Sequence, residues 1–172
     1  LMRVGHDIHN SADWVRTMTQ LATEAEQAGR MEAAVGYLRM SEFFMYDDNP
    51  EKLSTYRRAA EMFEQVFAGY FDSGRVQRYK VPYGQGHLPV MVAKAQGTVR
   101  DTLLLHGGND SYYEELFYPM LYLSEQGFDV YLFEGPGQGG VLRMQGMRFE
   151  YEWEKPVKAI LDYFKLDDVT IV

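Results

Sequence analysis

The sequence predicts an α/β protein, with an N-terminal helical segment (residues 1–74) followed by the first strands and helices of a largely parallel sheet (residues 75–172). Three observations predict it. Up to Tyr70, apolar residues recur every three or four positions, the spacing of helices that bury one stripe. From Arg75 the pattern changes to short β-branched and aromatic runs bounded by glycines, which reads as strands. After Thr102, strand, helix, strand, helix and strand alternate, and alternation of this kind needs crossovers and therefore parallel strands.

The helical elements come first. Trp14, Met18, Leu21, Ala25 and Ala28 form one stripe, and Gly29 is a natural stop. Ala34, Tyr37, Leu38, Ser41, Phe44 and Met45 form a second. "DDNPEK" then punctuates the chain: Asn49 is placed to cap, and Pro50 suits a first helical turn, where its missing N–H costs nothing. Leu53, Tyr56, Ala60, Phe63, Phe67 and Tyr70 form a third stripe. "AGRMEAAVGYL" and "YRRAAEMF" resemble tetratricopeptide-type hairpins, but a solenoid needs about three repeats to bury its faces. A helical appendage on a catalytic domain is the expectation, with the boundary near "FDSGRV".

The strands follow. "RVQRYKVPY" and "LPVMVAKA", joined by a Gly84–Gly86 turn, predict a hairpin. "TLLLH" is a short apolar strand, followed by a helix from about Glu114 to Gln126 that Gly127 closes. "DVYLFE" is the next strand, and a glycine-rich loop succeeds it. Val157, Ile160, Leu161 and Phe164 give a last helical face, and "VTIV" reads as a buried strand.

Bulk properties exclude several classes. A net charge of −8 argues against non-specific nucleic-acid binding, because the phosphate backbone would repel the chain. The absence of cysteine excludes disulfides, thiolate metal sites and cysteine nucleophiles, and fits a reducing compartment. No apolar run approaches the ~20 residues needed to cross a bilayer, and no signal peptide opens the chain. Leu1 before Met2 has the look of a tag scar or a trimmed start. The expectation is a cytoplasmic protein with no cofactor, no metal and no membrane partner, with a homodimer left open.

Four motifs bear on chemistry. In "LLLHGGND", His106, Gly107 and Gly108 directly follow an apolar strand. Paired glycines permit unusual dihedrals, and backbone N–H groups exposed there can stabilise an oxyanion without any side chain. "SYYE" at Ser111–Glu114 has capping-box spacing, which accounts for Ser111 better than a nucleophile does. "FEGPGQGG" holds Gly135, Gly137 and Gly140, formally G-x-G-x-x-G, but Pro136 and the lack of a clean helical stripe after it favour a tight loop beside a pocket over a nucleotide site. His6, His9 and His87 lack partners at metal-ligand spacing, and His106 reads as a loop-shaping residue.

The order of these elements, together with "HGGNDSYYEE" and "FEGPGQGG", resembles the start of an α/β-hydrolase. The branch it resembles includes dihydroxypseudooxynicotine hydrolase and the fermentation–respiration-switch-like esterases, which carry a helical segment before the core, as Trp14 to Tyr70 would be here. The resemblance implies a serine hydrolase acting on an ester, amide or activated C–C bond of a small-molecule substrate. It implies a nucleophile elbow, G-x-S-x-G, directly after the strand matching "VTIV", with the acid and histidine later still. None of Ser11, Ser41, Ser54, Ser73, Ser111 or Ser124 lies in such a motif, so the chain is expected to be a fragment carrying the oxyanion side of a site without its triad, and inactive alone. Gly108 and Asn109 would supply an oxyanion-hole N–H, and His106, Gly107 and Tyr112 would face substrate. Glu134, with Gly135 and Gly137, would shape the loops, bracing by hydrogen bonds or serving as an acid. Tyr112 and Tyr113 line the pocket or cover the helix start. The competing reading is a non-catalytic α/β-hydrolase-like scaffold with a helical interaction module.

Overall fold

The computed structural model describes residues 4–172 and divides into two units, one running up to Gly69 and the other Tyr70–Val172. The reading of Leu1 and Met2 as a tag scar or trimmed start lies outside the described residues.

The first unit is built from three successive helices, each packed on the next: α1 (Ser11–Gln27), α2 (Met31–Phe43) and α3 (Lys52–Val66). The Asn10 side chain accepts from the Asp13 N–H at 2.9 Å and so satisfies one of the free donors at the start of α1. Ala22, Ala25, Ala34 and Ala59, with Leu38 and Met62, make its core, and the small side chains let the helices approach closely. The buried faces differ from the expected stripes. Ala28, Phe44 and Leu53 are exposed, whereas Glu42 and Lys52 are buried. A pattern of apolar residues cannot register that pair. Lys52 Nζ donates to the Met45 carbonyl at 2.6 Å and the Glu42 carbonyl at 3.2 Å, and lies 3.4 Å from the Glu42 carboxylate. It thereby adds a donor to the Glu42 carbonyl in the last turn of α2 and to the Met45 carbonyl just beyond the helix.

Two further expectations change in the helical unit. Asn49 does not cap α3. Its side chain accepts from the Glu51 N–H at 2.8 Å, a local turn that precedes the helix. The third stripe does not run unbroken to Tyr70 either, because α3 stops at Val66 and a short α4 (Ala68–Asp72) follows.

The second unit is a five-stranded sheet in the order β1-β2-β4-β3-β5. β1 (Gln77–Tyr83) and β2 (Gly86–Ala93) form the predicted hairpin, with Tyr83 opposite Gly86 and Gly84 at φ 57° in the turn. β2 runs antiparallel to β4 (Phe128–Phe133), and β4 and β5 (Thr170–Ile171) run parallel to β3 (Asp101–His106). The β3-to-β4 and β4-to-β5 connections travel in opposite directions across the sheet. Right-handed crossovers therefore put their helices on opposite faces. α5 (Phe117–Glu125) fills the first connection, and α6 (Gly139–Gln145) and α7 (Glu154–Phe164) the second. Val90, Val92, Leu104, Tyr131 and Phe133 pack with Val141, Val157 and Ile160 in one core.

Three sequence expectations change in the sheet unit. The helix expected from Glu114 begins as a single 3₁₀ turn, Tyr113–Leu116, before α5 proper. The loop after β4 runs directly into α6, which was not foreseen because only Gly139 and Val141 of its residues are buried and no stripe develops. Among the described residues "VTIV" is only partly buried: β5 pairs with β3, Val169 packs half-buried against the core, and Ile171 and Val172 are exposed.

Candidate active site at the carboxyl edge of the parallel strands

β3, β4 and β5 deliver their C-terminal ends to one edge of the sheet, where parallel α/β proteins build their sites. The end of β5 is pinned there, since the Val172 N–H donates to the Leu104 carbonyl at 3.0 Å and the His106 N–H to the Val172 carbonyl at 3.2 Å. The loops after β3 and β4 are joined by two buried polar side chains.

Gln138, 2% exposed, is the first. Its amide oxygen accepts from the Gly135 N–H at 2.8 Å, and its amide nitrogen donates to the carbonyls of Gly107 at 2.5 Å and Gly108 at 2.9 Å. The orientation is unambiguous, because an N–H can only donate and a carbonyl only accept. Glu134, 1% exposed, is the second. One carboxylate oxygen accepts from the Tyr113 N–H at 3.1 Å and the other from the Gly140 N–H at 2.8 Å. The carboxylate thus ties the β3 loop to the first turn of α6.

His106 sits between the loops and Trp153. The indole N–H can only donate, so His106 Nε2 accepts it, at 3.3 Å. The ring proton is therefore on Nδ1, which donates to the Gly107 carbonyl at 2.9 Å. One ring nitrogen is thus engaged by Trp153 and the other within the loop. Trp153 also stacks on Phe133 and Phe149, with interplanar angles of 26° and 22°.

The glycines have different reasons. Neither Gly107 nor Gly108 has a positive φ, so the expected unusual dihedrals are absent. A Cβ on Gly107 would collide with the Ser111 side chain, and one on Gly135 with the Trp153 ring, whereas Gly108 faces open space. Gly137 does require its freedom, at φ 87°, and a Cβ there would also lie 2.6 Å from Phe149.

Other predicted residues are placed as follows. Gly108 and Asn109 are exposed at the turn, and the Ser111 N–H closes it on the Gly108 carbonyl at 3.2 Å. Tyr112 is buried, at 6% exposure, and heads the 3₁₀ turn. The capping pair is shifted by one from Ser111–Glu114: Glu115 accepts from the Tyr112 N–H at 3.3 Å. A helix does start within G-x-G-x-x-G, but the Glu134 carboxylate occupies its N-terminus, where a phosphate would have to sit. His87 lies in β2, its backbone bracketed by the Gln145 side chain through two 2.9 Å hydrogen bonds. Among the described residues, no group of three or more His, Cys, Asp or Glu could hold a metal ion, and no helix is long and apolar enough to cross a membrane. Gln138 is the residue that sequence reasoning missed. Its only signal was a glutamine enclosed by glycines in "GPGQGG".

No family model matches the chain. It is 33% identical to Hydrolase acrC of Aspergillus aculeatus, over 83% of this chain and 39% of that protein. It is 31% identical to Alpha/beta hydrolase psoB of Aspergillus fumigatus, over 83% of this chain and 36% of that protein. Among solved structures, AbyA5 matches 91% of this chain and 45% of its own, at a TM-score of 0.70 and 23% identity. 2,6-Dihydroxy-pseudo-oxynicotine hydrolase matches 99% of this chain and 53% of its own, at 0.61 and 20%. The chain therefore spans less than half the length of these curated relatives, 39% and 36%.

Proposed function

We infer the function from one premise, that by its fold and its relatives this chain belongs to the α/β-hydrolase superfamily. In our reading the complete protein is a serine hydrolase acting on a small molecule through an ester, amide or activated C–C bond. This chain supplies the oxyanion side of its site. The observation that carries the reading is the hydrogen bond from His106 to Val172. It puts the glycine loop of β3 directly beside the end of the strand after which the superfamily places its nucleophile elbow.

On an ester the chemistry would run as follows. The serine Oγ bonds to the substrate carbonyl carbon and passes its proton to the histidine, while the carbonyl π pair moves onto oxygen. Collapse of that oxyanion breaks the bond to the alkoxide, which takes the proton from the histidine. Water then attacks the acyl-serine by the same route and releases the acid. A backbone N–H at Gly108–Asn109 and one after the serine would stabilise the oxyanion in both steps.

The test is the complete protein. A serine is expected about three residues beyond Val172, flanked by glycines. A serine-directed fluorophosphonate should label it, and Ser→Ala should abolish both labelling and ester turnover. A reading frame with another residue in that place supports the scaffold reading instead, and labelling that survives the Ser→Ala change overturns the assignment.

A further inference from the structure

We propose that Gln138 is the positioning residue for the oxyanion donors of this site. The inference deepens the function proposed above and rests on it. The argument is geometric. Across a planar trans peptide, the carbonyl of one residue and the N–H of the next point in opposite directions. Gln138 holds the carbonyls of Gly107 and Gly108 on its own side, at 2.5 and 2.9 Å. The N–H groups of Gly108 and Asn109 are therefore turned to the opposite side, and neither meets an acceptor among the described residues. Gln138 is itself held from behind by the Gly135 N–H, and its side chain is buried, so the amide is fixed in place. The other hydrogen bonds on these carbonyls, from the Ser111 N–H to Gly108 at 3.2 Å and from His106 Nδ1 to Gly107 at 2.9 Å, come from the β3 loop itself, so Gln138 is the tie that reaches them from another loop. An oxyanion hole works because its donors are fixed before charge develops. Here a side chain from the β4 loop fixes donors that lie on the β3 loop.

The experiment uses the full-length enzyme, with Gln138→Met and Gln138→Glu. Met keeps much of the length of glutamine and offers no hydrogen bond. Turnover of a p-nitrophenyl ester, inhibition by a boronic acid and thermal melting are measured on each folded variant. Gln138→Met should lower kcat by ~10- to 100-fold, below the ~100- to 1000-fold typical of deleting a donor outright, because the N–H groups remain but lose their aim. KM should stay within about threefold, and boronate inhibition should weaken by a factor close to that in kcat, since both report the tetrahedral oxyanion. Gln138→Glu sets a carboxylate against two carbonyls. As pH falls and the carboxyl gains a proton, it recovers one donor, so the ratio of its kcat to wild type should rise. That variant carries the test if Gln138→Met fails to fold. A merely structural tie would lower the melting temperature and leave kcat and boronate affinity of the folded enzyme unchanged. An active wild type with Gln138→Met within about threefold in kcat, or a Gln138→Glu ratio independent of pH, overturns the positioning role alone. A wild type that neither turns over nor labels overturns the hydrolase reading, and this inference with it.

Discussion

Gly107 and Gly108 are neighbours that glycine serves in different ways. A Cβ on Gly107 would overlap the Ser111 side chain on the closing turn, whereas a Cβ on Gly108 would meet nothing within 4 Å. Neither residue sits at positive φ, so backbone strain does not enter. Gly107→Ala should therefore destabilise by ~1–3 kcal/mol, the usual cost of forcing atoms into a packed place. Gly108→Ala should cost less than ~0.5 kcal/mol, like other exposed changes. Chemical denaturation of the two variants checks this, and equal losses would show that the pair is constrained as a unit. The motif was legible because two glycines after an apolar strand are conspicuous. The difference between them was not, because it depends on where Ser111 returns.

At the scale of elements, the connection between α2 and α3 rests on Lys52. Lysine is rarely buried unless paired, and Lys52, 7% exposed, is paired with the carbonyls of Glu42 and Met45 at the end of α2. Glu42, at 0% exposure, is also 3.3 Å from Arg39, so it does not depend on Lys52 alone. Lys52→Met would remove both carbonyl contacts and part of the charge compensation for a buried carboxylate. Breaking such a pair typically costs ~3–5 kcal/mol, and we expect the lower end because Arg39 remains. Urea unfolding of the variant should reveal the loss, and adding Glu42→Gln should recover part of it. A loss below ~1 kcal/mol would mean that Arg39 suffices. The helices themselves were legible from apolar period, but their exact faces were not, because two ionisable residues took buried positions.

At the scale of the molecule, the chain holds the sheet edge, the glycine loops and their buried ties, and no G-x-S-x-G. The 172-residue chain alone should show no acyl-enzyme burst and no labelling by a serine-directed phosphonate. Robust labelling would identify Ser111 or another serine as reactive and overturn the assignment of the nucleophile to a serine beyond Val172. The contrast with the labelled full-length protein isolates what the remaining sequence contributes.

Local sequence by itself determined the change of period near Arg75, the hairpin around Gly84, the alternation that makes β3, β4 and β5 parallel, and the glycine motifs at two strand ends. Each is written in residues close together in the chain, where side-chain period and turn chemistry act directly. Only the tertiary structure decided which atoms those motifs offer one another. The reach of Gln138 across to the carbonyls of Gly107 and Gly108 spans 31 and 30 residues, and that of Glu134 to Tyr113 spans 21. A buried amide or carboxylate finds its partners according to how strands are ordered in the sheet, and strand order is a property of the packed whole.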